Sequence, residues 1–197
     1  MSIPLWLPAP QWTAPRDRKI ILYHGCTAVD QTKIEKGIDL RRSRVDSDFG
    51  RGFYMTTGMF QAQQWAWTRF YQPEVKSSSP NHPVVLEFHV DRHLLAKLSN
   101  ISFVIGDPNQ DDYWSLVQHC RNSQPNSICD HQGPVTELDG TQWYDVAFGP
   151  VAALWRQRFT MQNADQVSFH TKKAIRLLDQ VIRRKRAGEY RSHTLES

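Results

Sequence analysis

The chain holds 197 residues, with 40% apolar, 11% aromatic and 22% charged side chains, and 24 Lys+Arg against 20 Asp+Glu for a net charge of +4. That is one domain's worth of chain with enough apolar surface for a core, which excludes a disordered chain; the near-balanced charge permits an acidic partner without requiring one. No apolar run approaches the roughly 20 residues of a spanning helix, so no membrane partner is expected. The three cysteines, Cys26, Cys120 and Cys129, cannot form a fully paired disulfide framework, which points to a reducing compartment.

Residues 1–16 are Pro-rich with two tryptophans and read as an extended arm; without a basic start they predict no cleaved leader. A domain over residues 17–182 follows, then a basic and polar tail, 183–197. The first β-like run is Lys19–Tyr23 (KIILY), ending at His24-Gly25. The next, Gly52–Thr56, leads into a helix over Met59–Tyr71 that sets Ala62, Trp65, Ala66 and Arg69 at helical spacing. Pro73–Pro83 reads as a loop before a strand at Val84–Val90. Asp91 and Asp111 are suited to cap helices over Asp91–Leu98 and Asp111–Arg121, with a strand at Ile101–Ile105 between them. After a loop at Asn122–Pro134 come strands at Tyr144–Phe148 and Gln166–His170. Thr171 then caps a helix carrying Ala174, Ile175, Leu178, Val181 and Ile182, and the RRKR run at Arg183–Arg186 reads as its solvated end. Many short strands with few short helices make an α+β domain.

Three segments carry chemistry. In Leu22–Cys26 (LYHGC), a histidine ring sits beside a backbone with no side chain in the way, suited to a planar amide or a ribose. In Asp48–Thr57 (DFGRGFYMTT), Gly50 and Gly52 flank Arg51 in a tight turn, and Tyr54 with Trp65 supplies two aromatic faces for a flat ring. In Gln166–Ala174, Gln166 offers a bidentate amide to a cleft formed with the first strand. Read singly, each has an ordinary structural use: a strand-edge histidine, core aromatics, a surface glutamine. His119, Cys120, Cys129 and His131 have zinc-donor types without the paired close spacing of zinc sites, so no metal is expected. Arg41, Arg42 and Arg44 read either as contacts for pyrophosphate or an acidic target, or as a solvated loop.

Together and in this order, the segments resemble the ADP-ribosyltransferase superfamily of the His-Tyr-Glu type. FGRGFYMTTGMFQAQQWA is similar to the FG(K/R)GIYF stretch of poly-ADP-ribose polymerases. A closer resemblance is to small bacterial proteins of unknown function sharing LYHG, DFG(K/R)GFY(L/M)T, YDV(V/A)xGPVA and Q(I/V)SFHT, here Leu22–Gly25, Asp48–Thr56, Tyr144–Ala152 and Gln166–Thr171. The resemblance covers residues 20 to 180. It implies two small, mostly antiparallel sheets with short flanking helices and an NAD cleft between them.

The resemblance also implies roles. His24 would hold the adenosine-side ribose of NAD, and the Gly25 backbone would pair with the nicotinamide amide. Tyr54 would stack on the nicotinamide, with Trp65 opposite and with Arg51 and Gly52 in the binding turn. Gln166 takes the place of the catalytic Glu of the polymerases. An amide brings no charge to a developing oxocarbenium ion, which argues for transfer of a single ADP-ribose rather than chain elongation. Ala153 and Leu154 also depart from the acidic residues that follow GPVA in the bacterial proteins. The implied activity is NAD-dependent mono-ADP-ribosyl transfer by a cytoplasmic toxin or effector, the implied partners being a macromolecular acceptor (protein or nucleic acid) and an antitoxin. An NAD glycohydrolase and an inactive NAD- or ADP-ribose-binding module are the alternatives.

Overall fold

The computed structural model describes residues 19–44, 46–72, 81–105, 110–122, 144–179 and 182–186. The proline-rich arm, most of the two expected loops, Cys129, His131 and the end of the tail lie outside the described residues.

Among the described residues, seven strands form two sheets. The first joins β1 (Lys19–Thr27), β3 (Pro83–Asp91) and β7 (Ile182–Arg186) in the order β1-β3-β7, all antiparallel. The second has the order β2-β6-β5-β4, from β2 (Phe53–Met55), β6 (Phe159–Phe169), β5 (Val146–Leu154) and β4 (Asn100–Ser102); only the β4–β5 pair is parallel. The sheets meet where Tyr23 and Thr56 exchange two backbone hydrogen bonds of 2.8 and 2.9 Å. An α+β domain with two small, mostly antiparallel sheets is therefore what the chain forms.

Strand alternation divides the second sheet into two faces. Phe53, Met55, Val146, Phe148, Val167 and Phe169 share one core with Leu22, Phe88 and Leu178. Ala147 and Ala152 face the other way, against Phe49, Phe103, Tyr113, Trp114 and Val117, and Tyr54 packs on that second cluster. With both faces covered, β5 is buried from Val146 through Ala152, so its sequence runs apolar instead of alternating. Pro150 lies beyond the stretch paired with β4, at the start of a register shift, where a missing N–H is tolerated. Burying each Leu or Phe of these clusters is worth about 1.5–3 kcal/mol.

Five α-helices among the described residues cover the sheets: α1 (Ala28–Ile34), α2 (Met59–Phe70), α3 (Arg92–Leu95), α4 (Asp111–Asn122) and α5 (Lys172–Asp179). Asp91 caps α3 by accepting from His93 N and Leu94 N, and Thr171 Oγ1 accepts from Ala174 N at the start of α5, as the sequence predicts. Several expectations change. His24-Gly25 lies within β1 rather than at its end, because the pairing with β3 runs on to Thr27. The first helix, α1, has no counterpart in the sequence reading; the Thr27 side chain caps it. The expected strand at Ile101–Ile105 shrinks to Asn100–Ser102. The RRKR run is no helix end: α5 stops at Asp179, and Ile182–Arg186 pairs with Phe88–Val84 on the edge of β3. The ordered sheet thus continues past residue 182, because β3 has an open edge that a following extended segment can fill.

Candidate functional site

His24 and Tyr54 meet at the junction of the sheets. His24 Nδ1 lies 2.7 Å from the Tyr54 carbonyl oxygen, so Nδ1–H donates and Nε2 is left as an acceptor in the neutral ring. The ring stacks on Phe53 at 4.4 Å between centroids. Desolvation by burial holds the His24 pKa below the ordinary value; the bond to Tyr54 and the charge of Asp30 oppose it.

Gly25 stands at an open edge. Tyr23 turns both its N–H and its C=O away from β3 toward Thr56, and an antiparallel ladder repeats every two residues. Gly25 therefore points its own N–H and C=O to that same edge. A Cβ at Gly25 would lie 2.0 Å from the Ala62 carbonyl oxygen and 2.8 Å from Ala66 N, so only glycine lets α2 seat on β1 here.

Helix α2 in turn places Trp65. Gln61 bonds the β6 backbone at Asp165, with Nε2 donating to the carbonyl at 2.8 Å and Oε1 accepting from the N–H at 3.2 Å. Ala62 and Ala66 are buried with Val85. At about 100° per residue, Trp65 projects between the Gln61 line and the Ala62 line. It is half exposed.

Tyr54 is held at both ends. Its hydroxyl donates to Gly50 O at 2.7 Å and accepts from Phe49 N at 3.0 Å. Burial pushes its pKa well above the ordinary value, which keeps the phenol neutral. The turn that holds it needs its glycines: Gly50 has φ +74°, and a Cβ at Gly52 would press on the His170 ring at 3.0 Å. His170 also binds Arg51 O through Nδ1 at 2.9 Å, and the Arg51 Nε is buried without a hydrogen-bond partner.

Gln166 lies on the face of β6 that carries Ser168, the residue opposite Tyr54. It is 7% exposed. Its Nε2 donates to Asp48 Oδ2 and to Pro150 O, both at 2.7 Å. The buried Asp48 also accepts from Ala152 N at 2.8 Å and pairs with Arg121, whose Nε is 2.7 Å away. The structure thus joins Gln166 to Asp48 and Pro150, whereas the sequence reading set it in a cleft with the first strand. Arg41 and Arg42 pair with Asp39, Arg44 pairs with Asp46, and all three arginines are well exposed.

Sequence reasoning missed Asp48, Arg121, Gln61 and Asp165. Asp48 opens the DFGRG motif, and an acid before a glycine turn was the one available signal. The other three lie far along the chain from what they hold, and no local pattern marks them. Among the described residues, no group of three or more His, Cys, Asp or Glu side chains is placed to hold a metal ion, and no helix is long and apolar enough to cross a membrane. No curated protein and no solved structure matches the chain. One family model matches residues 20–180, the span that holds every residue of this site, and the chain accordingly belongs to the family described as protein of unknown function (DUF3990).

Proposed function

We propose that the protein is an NAD-dependent mono-ADP-ribosyltransferase, with the nicotinamide end of NAD seated between the His24–Gly25 edge of β1, the Tyr54 ring and Trp65. The observation that carries this reading is the pairing of the His24 ring with the Tyr54 carbonyl beside the outward-facing backbone of Gly25. A carboxamide needs one donor and one acceptor side by side, which a single strand-edge residue supplies. Nε2 of His24 accepts from a ribose hydroxyl, and two aromatic side chains flank the ring.

In this reading the bond between ribose C1′ and the nicotinamide nitrogen breaks, and its electron pair leaves with nicotinamide. The nucleophile of an acceptor then bonds to C1′ and gives up its proton. Gln166 Oε1 accepts from a hydroxyl of the nicotinamide ribose and orients it. Positioning of the bound NAD supplies most of the rate, and fixed dipoles supply the rest. The acceptor is a macromolecule inside a cell, and the role is that of a toxin or effector with an antitoxin as partner; the sequence resemblance supports that part. A neutral amide at 166 favours one competing reading, a module that binds NAD or ADP-ribose without cleaving it.

Incubation with labelled NAD and a bacterial lysate separates these outcomes. Label on a macromolecule, lost in His24→Ala, supports the transferase. Free ADP-ribose alone identifies a glycohydrolase, and binding without either product leaves the module.

A further inference from the structure

The amide of Gln166 is fixed from two sides, by β5 and by the turn before β2. Two acceptors, Asp48 Oδ2 and Pro150 O, take both of its N–H protons. The flip is therefore set: the nitrogen is turned toward Asp48, and Oε1 has no hydrogen bond among the described residues, yet it is not among the buried polar atoms left without partners. Oε1 thus keeps some exposure, on the face Gln166 shares with Tyr54. Asp48 is itself held by Arg121 from α4 and by the N–H of Ala152 from β5.

We propose that Asp48 is a positioning residue that dictates glutamine at position 166: with Arg121 it turns the amide nitrogen inward and leaves Oε1 as the acceptor offered to the substrate ribose. This rests on the reading of the site as an NAD-cleaving one. It also accounts for the absence of the polymerases' glutamate. A Glu at 166 would set a carboxylate oxygen about 2.7 Å from Asp48 Oδ2, and like charges that close share one proton. Only the singly protonated pair reproduces the glutamine pattern, an O–H turned to Asp48 and an acceptor turned outward. Among the described residues, the other charged or titratable groups around this pair are Arg121, Tyr113 and Cys120 of α4 and Tyr54 of β2. Tyr113 gives its hydroxyl proton to Pro150 O, 3.0 Å away.

The test measures nicotinamide release from NAD between pH 5.5 and 8 for the unmodified protein, Gln166→Glu, Asp48→Asn and the double variant. Gln166→Glu is expected to lose at least about tenfold in kcat as pH rises, a barrier change near 1.4 kcal/mol, while the unmodified protein shows no such limb. The double variant returns one negative charge to the pair and loses the limb. Asp48→Asn alone lowers kcat about tenfold with little change in KM for NAD. A merely structural Asp48 would reduce the folded fraction without a pH limb confined to Gln166→Glu. For variants that do not fold, hydrogen exchange of the Gln166 side-chain amide in the unmodified protein is the second measurement: slow exchange supports the proposal and fast exchange overturns it. Parental kcat in Asp48→Asn, or a Gln166→Glu profile matching the parent, overturns the positioning role alone. No nicotinamide release by the unmodified protein overturns the NAD reading and this role with it.

Discussion

The ring of His24 donates from Nδ1 to the backbone carbonyl of Tyr54 across 2.7 Å, joining two residues thirty apart in the chain at the place where the two sheets touch. That single bond fixes the tautomer and leaves Nε2 free to accept. It also ties β1 to β2, just after the glycine turn.

A pH dependence follows from the partly buried, desolvated ring. The folded protein holds the His24 pKa below its ordinary value, so the unfolded chain binds more protons at this residue in the window between the two. The stability this contributes is complete above about pH 6.5 and is lost as pH falls toward the lowered value. Thermal denaturation from pH 7.5 down to 5 should show a shallower decline for His24→Gln than for the unmodified protein. Equal slopes would show that His24 is not the group responsible.

Tyr54→Phe separates the hydroxyl from the ring. It removes a donor to Gly50 O and an acceptor for Phe49 N–H, leaving both without that partner. The expected loss of stability is about 1–3 kcal/mol. The aromatic face remains, so NAD affinity measured by calorimetry should stay within about threefold, well under the tenfold that 1.4 kcal/mol represents. A large loss of affinity in a folded Tyr54→Phe would assign a binding role to the hydroxyl.

Gly25→Ala should damage fold and site together. The new Cβ meets backbone, the Ala62 carbonyl at 2.0 Å, so α2 has to move and Trp65 moves with it. Overpacking of this kind costs about 1–3 kcal/mol. Denaturant midpoints report the loss, and unchanged midpoint and Trp fluorescence would contradict the packing described for α2.

The ion pair of Asp48 and Arg121 gives a complementary case. Arg121→Met leaves the buried Asp48 with its Gln166 and Ala152 bonds but without its cation. Removing one partner of such a pair costs about 3–5 kcal/mol, at the lower end here because the arginine side chain is 28% exposed. A change under about 0.5 kcal/mol, typical of a surface substitution, would place the pair among solvent-screened contacts.

Local patterns made much of this legible. The 3.6 period exposed α2, the capping of Asp91 and Thr171 marked two helix starts, and β-branched runs located the strands. His24, Gly25 and Tyr54 each had an ordinary structural reading alone and stood out only because their segments occur together, in the order the family resemblance requires. What depended on distant pairing was hidden. Arg183–Arg186 carries a helix-end charge pattern, and only the open edge of β3 turns it into a strand. Gln166 read as a free amide because nothing near it in sequence reveals Asp48, 118 positions away. Gly25 and Gly52 suggested room for a ligand; each is also demanded by what packs on it, α2 in one case and His170 in the other.

The central claim, that a nicotinamide ring seats on the β1 edge at His24 and Gly25, is tested most directly by titrating 15N-labelled protein with nicotinamide and then NAD. The Gly25 backbone amide is expected to show one of the largest shifts with nicotinamide, and NAD is expected to displace nicotinamide from the same site. A Gly25 amide unmoved by either compound in the folded protein would contradict it.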